Sequence, residues 1–264
     1  MLNSFKTVFA AATVATLGIA APAYADEAPA SDITITGSAT IATEYRLRGI
    51  SQTDSRAAIQ GGITVAHSSG VYVGTWASNL GGNGTWGGSN MELDLIGGYS
   101  KSFSGVTADA GLVYYVYPGT SKHDYIEVYG SLSAPIGPVK AKVGTYWTPS
   151  QKNVAAIAAK GHNIWVYGEL AAPIPSTPVT LKGHLGYSSG NSIYTCGAGF
   201  GPCDKNVLDY SIGADFTYKA LTLNVSYVGT DMSSAAAGFN FNGGVRSGHT
   251  ITKGAVVASL TAAF

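Results

Sequence analysis

Along residues 33–48, Ile33, Ile35, Ala39, Ile41, Tyr45 and Leu47 share one parity, while Thr34, Thr36, Ser38, Thr40, Glu44, Arg46 and Arg48 share the other. Strict period-2 alternation predicts a strand with one apolar and one polar face. At about 3.3 Å per residue the run reaches roughly 50 Å, enough to cross a bilayer at a tilt. The pattern recurs over residues 91–103, 106–117, 126–133, 139–147, 164–171, 179–188, 208–218 and 221–228. Residues 59–66 and 71–79 are flatter, and in the second the outward parity is undecided. With 254–264 added, the chain reads as about 12 strands, an even number.

The links between these runs alternate in length. Residues 67–70, 104–105, 134–138, 172–178 and 219–220 are short, and all but Lys219-Ala220 contain the Gly, Pro or Ser of ordinary turn chemistry. Segments 49–56, 80–90, 118–124, 148–161, 189–206 and 229–252 are longer and polar or Gly-rich. Transmembrane barrels have short periplasmic turns and long extracellular loops, so the alternation also predicts orientation, with both termini in the periplasm.

Composition narrows the alternatives. Only 11% of residues are charged, against roughly 25% in an average soluble protein, while Gly (35) and Tyr (16) are heavily used. After the N-terminal segment no stretch approaches the roughly 20 apolar residues of a spanning helix. The expected fold is therefore all-β, a single transmembrane antiparallel β-barrel over residues 26–264, bathed in outer-membrane lipid. Acids and bases balance at 15 each, which predicts no nucleic-acid partner. Residues 1–25 read as a cleaved signal peptide of a Gram-negative exporter: Lys6 precedes an apolar run over 7–20, and Ala23-Tyr24-Ala25 sets cleavage between Ala25 and Asp26. The final run places Val256, Ala258, Leu260, Ala262 and Phe264 on one parity. A terminal aromatic at that parity resembles the signal read by barrel-assembly machinery, so Phe264 is the expected assembly signal. Tyr99, Phe103, Phe216 and Tyr218 fit an aromatic girdle at the inner rim, and Tyr45, Tyr114, Tyr210 and Tyr227 one at the outer rim.

Several stretches are recognisable together: YRLRGISQTDSRAAIQGG (45–62), VYVGTWASN (71–79), ELDLIGGYS (92–100), GLVYYVYPG (111–119), DYIEVYGSLS (124–133) and LTLNVSYVGTD (221–231). In order over most of the chain, they resemble the proteobacterial TorF-type porins, earlier catalogued as conserved proteins of unknown function. The resemblance implies an outer-membrane barrel called a porin, with no assigned substrate and no catalytic residues to carry over. The chain departs from that pattern in CGAGFGPC (196–203) and in residues 229–252.

With the apolar parity facing lipid, the opposite parity faces the lumen. It carries the expected pore-lining charges Glu44, Arg46, Arg48, Glu92, Asp94, Asp109, Glu127, Lys140, Lys142, Glu169, Lys182, Asp209 and Asp215, together with His184. A midplane Arg or Lys on the lipid face would cost roughly 2–4 kcal/mol, which is why almost every strand charge falls inside. Lys101 is the exception, near a strand end from which it can reach the interface. Acids concentrate in 91–133 and bases in 33–48, 139–147 and 179–188, so either a transverse field or a set of internal salt bridges is expected. Tyr115, Tyr117, Tyr129, Tyr146, Trp165 and Tyr167 share the inward parity and narrow the bore.

Cys196 and Cys203 lie in one long loop of an exported chain and are expected to form a disulfide, worth roughly 2.5 kcal/mol to that loop. Their spacing does not match a zinc site, and neither a metal nor any other cofactor is expected. No G-x-S-x-G motif flanks a serine, and His67, His123, His162, His184 and His249 lie mostly in turns or loops, so the chain reads as a non-enzyme. The expected function is passive diffusion of small hydrophilic solutes, with ion transport. An occluded barrel acting as a structural or surface-recognition protein and an outer-membrane lipid hydrolase stand as alternatives. Monomer and homo-oligomer are both open.

Overall fold

A computed structural model describes residues 32–81, 88–120, 123–154, 160–195, 204–233, 236 and 251–264. Its strands are β1 (Ile33–Ala42), β2 (Arg46–Leu47), β3 (Ile50–Ser51), β4 (Ala58–His67), β5 (Val71–Asn79), β6 (Met91–Phe103) and β7 (Val106–Val116). They continue as β8 (Tyr125–Ile136), β9 (Val139–Gln151), β10 (Gly161–Pro173), β11 (Val179–Asn191), β12 (Asn206–Tyr218), β13 (Leu221–Thr230) and β14 (Ala255–Ala263). All except β2 and β3 form one closed barrel of 12 strands, each antiparallel to its sequence neighbour. Closure leaves no unpaired edge, the condition for strands to survive in lipid.

The alternation follows the predicted parity. Ile35, Ile41, Ile59, Leu95, Val143, Leu185, Ile212 and Val256 are all exposed on the outer wall. So are the girdle aromatics Tyr99, Phe103, Tyr114, Tyr210, Phe216, Tyr218 and Tyr227. A continuous apolar exterior of this kind is stable only in hydrocarbon, and a closed antiparallel barrel that carries it is an outer-membrane protein. The structure also resolves the undecided parity of 71–79: Val71 and Val73 face out, whereas Tyr72 and Trp76 are buried inside.

Short turns join the strands at one end. Ser104 and Gly105, with φ of 48° and 83°, connect β6 to β7 as a two-residue hairpin loop whose twist suits flanking strands. The barrel closes where Ser38–Ala42 of β1 pairs with Ala263–Ser259 of β14. Phe264 extends that seam. Its carbonyl accepts from Gly37 N at 2.7 Å and its N–H donates to Gly37 O at 3.0 Å, while its ring lies where a Cβ on residue 37 would sit.

One predicted element is corrected. Residues 33–48 are not a single strand: β1 ends at Ala42, and residues 43–57 fold back into the barrel. Within that segment β2 and β3 pair, Arg46 with Ser51 and Leu47 with Ile50, around Arg48 and Gly49 at φ of 50° and 79°. The alternation persists through residue 48 because a short hairpin also has two faces. Tyr45 and Leu47, expected against lipid, are 2% and 4% exposed in the interior.

Candidate functional site

The barrel encloses a lumen whose two walls differ sharply. The inward-folded segment lies between them at the end where the long loops emerge. Every residue from Glu44 to Asp54 in it is buried. Gln52 N donates to Tyr45 O at 2.8 Å, and Gly81 N donates to Gln52 O at 2.9 Å, which ties the segment to the end of β5. At its tip, a Cβ on Gly49 would meet Gly229 O at 2.5 Å and Thr230 Cβ at 2.7 Å, so the backbone touches β13. Only glycine combines that approach with a positive φ without strain.

Arg48 is the segment's anchor. Its Nη2 donates to both carboxylate oxygens of Glu127 on β8 at 2.8 Å. The guanidinium stands 3.9 Å from the ring centre of Tyr194 and 4.9 Å from that of Trp165. Once the Asn163 amide is turned to satisfy its neighbours, its oxygen accepts from Arg48 Nη1 at 3.2 Å. Burial pulls the Arg48 pKa down, but the Glu127 carboxylate reverses this, so the net shift is upward. Glu127 also accepts from Tyr115 Oη at 3.0 Å and Thr148 Oγ1 at 2.6 Å. Glu92 accepts from Tyr45 Oη at 2.9 Å and Tyr117 Oη at 3.2 Å. Asp94, equally buried, has neither carboxylate oxygen hydrogen-bonded among the described residues.

Around these acids β5 to β10 present a wall of aromatic rings. Tyr115 stacks on Tyr125 with centroids 4.4 Å apart, and Tyr125 Oη meets Tyr194 Oη. Tyr129 stacks on Tyr146 at 5.3 Å and Trp165 on Tyr167 at 4.6 Å. Tyr167 lies flat over Gly144 of the adjacent strand, where an added Cβ would meet ring carbons at 2.6 Å. Toward the short-turn end, ion pairs join β10, β11 and β12. Lys182 Nζ lies 3.4 Å from Asp215, and His184 is set between Asp209 at 2.8 Å and Glu169 at 3.6 Å. Trp165 Nε1 donates to Asp209 at 2.8 Å.

The wall formed by β13, β14, β1 and β4 is different in kind. Its inward positions on β13 are Thr222, Asn224, Ser226, Val228 and Thr230, and every one is partly exposed. On β14, Val257, Ser259 and Thr261 are likewise partly exposed. β1 adds Thr36, Ser38 and Thr40, and Thr40 Oγ1 bonds Thr261 Oγ1 at 2.8 Å across the closing seam. No inward side chain on these four strands is charged or aromatic. At the long-loop end, Ile50 packs with Val207, Met232, Ala236 and Ile251 in an apolar cluster above this wall.

The predicted inward charges separate into three groups. Glu44, Arg46 and Arg48 sit on the folded-in segment, where Arg46 Nε pairs with Glu44 at 2.9 Å, rather than on the wall itself. Glu92, Asp94 and Glu127 form a buried acidic layer in the long-loop half. Asp109, Lys140, Lys142, Glu169, Lys182, Asp209 and Asp215 line strands β7 and β9 to β12. Internal pairing is present for Arg48, Lys182 and His184, whereas Glu92 and Asp94 form no ion pair among the described residues. Lys101 is exposed at the short-turn end of β6, consistent with its strand-end position. Tyr125 and Tyr194 join the site without being among the predicted inward residues. Tyr125 shares the parity of Glu127 two residues on, which is a readable signal, whereas Tyr194 lies in a loop with no periodicity. Ala25 and Asp26, and Cys196 and Cys203 with their expected disulfide, lie outside the described residues.

Comparison with solved structures supports the fold. The NanC porin superposes with a TM-score of 0.54 at 11% identity, over 88% of this chain and 99% of that one. The KdgM porin superposes with a TM-score of 0.51 at 8% identity, over 87% of this chain and 98% of that one. No curated protein matches the chain. A family profile, described as a bacterial protein of unknown function (Gcw_chp), matches residues 26–264. With that match spanning the whole barrel, the chain belongs to the Gcw_chp family.

Proposed function

We propose that the protein is an outer-membrane channel for passive diffusion of small hydrophilic solutes, with the short turns toward the periplasm and the long loops outside. One observation carries this reading: the inward positions of β13 are partly exposed along the strand's full length, whereas across the lumen Tyr115, Glu127, Tyr129, Tyr146 and Tyr167 are buried. A polar, accessible inner wall inside an apolar exterior is the arrangement of a solute path. The resemblance to TorF-type porins and the shared fold with the NanC and KdgM porins agree with it. A second reading, an occluded barrel that acts through its surface, draws on the buried segment from Glu44 to Asp54 and the apolar cluster around Ile50. Hydrolase chemistry has less support. His67 Nδ1 lies 2.9 Å from Ser69 Oγ, but both belong to one exposed turn and Ser69 N donates to the same ring nitrogen.

Planar-bilayer recording on the purified, refolded chain tests the proposal. Discrete conductance steps are expected. Their reproducible absence leaves the occluded barrel, and release of fatty acid from outer-membrane lipid by the same sample would return the hydrolase.

A further inference from the structure

We infer that solutes travel along the wall of β13, β14, β1 and β4, and that the paired hydroxyls and amides of this wall select neutral, polyhydroxylated solutes over charged ones of equal size. The inference rests on the channel reading above and names its substrate class. Three independent features converge on it. On β13 and β14 the wall is accessible, from Thr222 near the short-turn end to Thr230 near the long-loop end, whereas Thr40, Ala42, Ala58 and Gln60 beside it on β1 and β4 are buried. It offers groups that donate and accept, such as Ser226, whose Oγ donates to Asn224 Oδ1 at 2.8 Å, and Thr261 with its hydroxyl partner Thr40. Hydroxyls rotate to suit either role, so they can replace water around a sugar-like solute as it is stripped in a narrow bore.

The third feature is the state of the charges across the lumen. Arg48 is committed to Glu127, Lys182 to Asp215, and His184 to Asp209 and Glu169. A charged solute that sheds water needs a counter-charge to offset the loss, and drawing one from an existing pair strands its partner, at the greatest cost for the buried Arg48–Glu127 pair. A neutral solute makes no such demand. The short-turn end does hold Lys140 and Lys142, which would favour an anion, but Glu169 acts on both and Asp109 on Lys142, which counters that field.

Swelling of liposomes containing the refolded full chain, with glucose, gluconate and glucosamine as probes of similar mass, tests this. Glucose should enter about threefold faster than either charged analogue or more. In Ser226→Asp, gluconate should slow about threefold further while glucosamine gains, and Lys142→Gln should move either rate less than about twofold. Thr222→Asp, nearer the rim, gives the same readout should Ser226→Asp not refold. Gluconate or glucosamine entering faster than glucose, or a larger response to Lys142→Gln than to both wall variants, overturns the inference while the channel stands. Absence of both swelling and conductance steps removes the channel and this inference with it.

Discussion

The two walls of the lumen use the same strand geometry to opposite ends. Across β5 to β10 the inward positions carry large rings and acidic or basic groups, most of which satisfy one another, with Asp94 the exception, and the Arg48 guanidinium is held between Glu127, Tyr194 and Trp165. Across β13, β14, β1 and β4 the inward positions carry hydroxyls, amides and small apolar groups that stop short of the axis. The difference teaches that lumen polarity alone does not identify a path. A charge facing the bore can be committed to holding a neighbour, as Arg48 and Glu127 are in the buried long-loop half.

The largest effect expected from this contrast belongs to the anchor. Arg48→Ala leaves Glu127 buried without its cation and should cost about 3–5 kcal/mol, read as a lowered urea midpoint of the refolded barrel. The same variant should free the segment from Glu44 to Asp54, raising single-channel conductance about twofold; an unchanged conductance would detach this segment from the path. Next, Gly144→Ala drives a methyl group into the Tyr167 ring on the packed wall and should cost about 1–3 kcal/mol by the same unfolding assay. Its control, Gly183→Ala, meets nothing within 4 Å and should be close to silent. On the open wall, Ser259→Ala should change stability by no more than about 0.5 kcal/mol, and a cost as large as that of Gly144→Ala would erase the distinction between the walls.

The smallest effect is a pH dependence in the long loops. Burial lowers the pKa of His123, partly opposed by Asp124, so the unfolded chain binds the proton more readily than the folded one. Stability contributed by neutral His123 is thus present above the unfolded value near 6.5 and declines as pH falls through it. Because the side chain is only partly buried, the slope should be shallow, and His123→Gln should abolish it in melts taken between about pH 8 and about pH 5.

Much of the barrel is readable from residue order. Period-2 runs such as 91–103 are the strand β6 to the residue, and the short turns fall where Ser104-Gly105 and Lys219-Ala220 stand. Leu221 to Val228 carries its parity into the structure unchanged. Residues 71–79 resist such reading because Gly74, Thr75 and Ala77 differ too little in polarity to reveal which side meets lipid. Residues 43–48 mislead for the opposite reason: they alternate cleanly, but around a hairpin whose two faces both lie inside the barrel.

Residue order alone determines the exterior: alternation, scarcity of charge and spacing of turns compel an apolar outer face and a polar inner one, because each is a property of one strand and its immediate neighbours. Closure determines the interior. Arg48 and Glu127 are 79 positions apart, Tyr125 and Tyr194 are 69 apart, and they meet only because the closed barrel brings the β2–β3 hairpin, β8 and the segment after β11 to one cavity. Parity says that a side chain enters the lumen. Its partner across the bore, and hence whether its charge is held or free to meet a solute, depends on strand number, register and the inward fold of residues 43–57, none of which is local to that side chain.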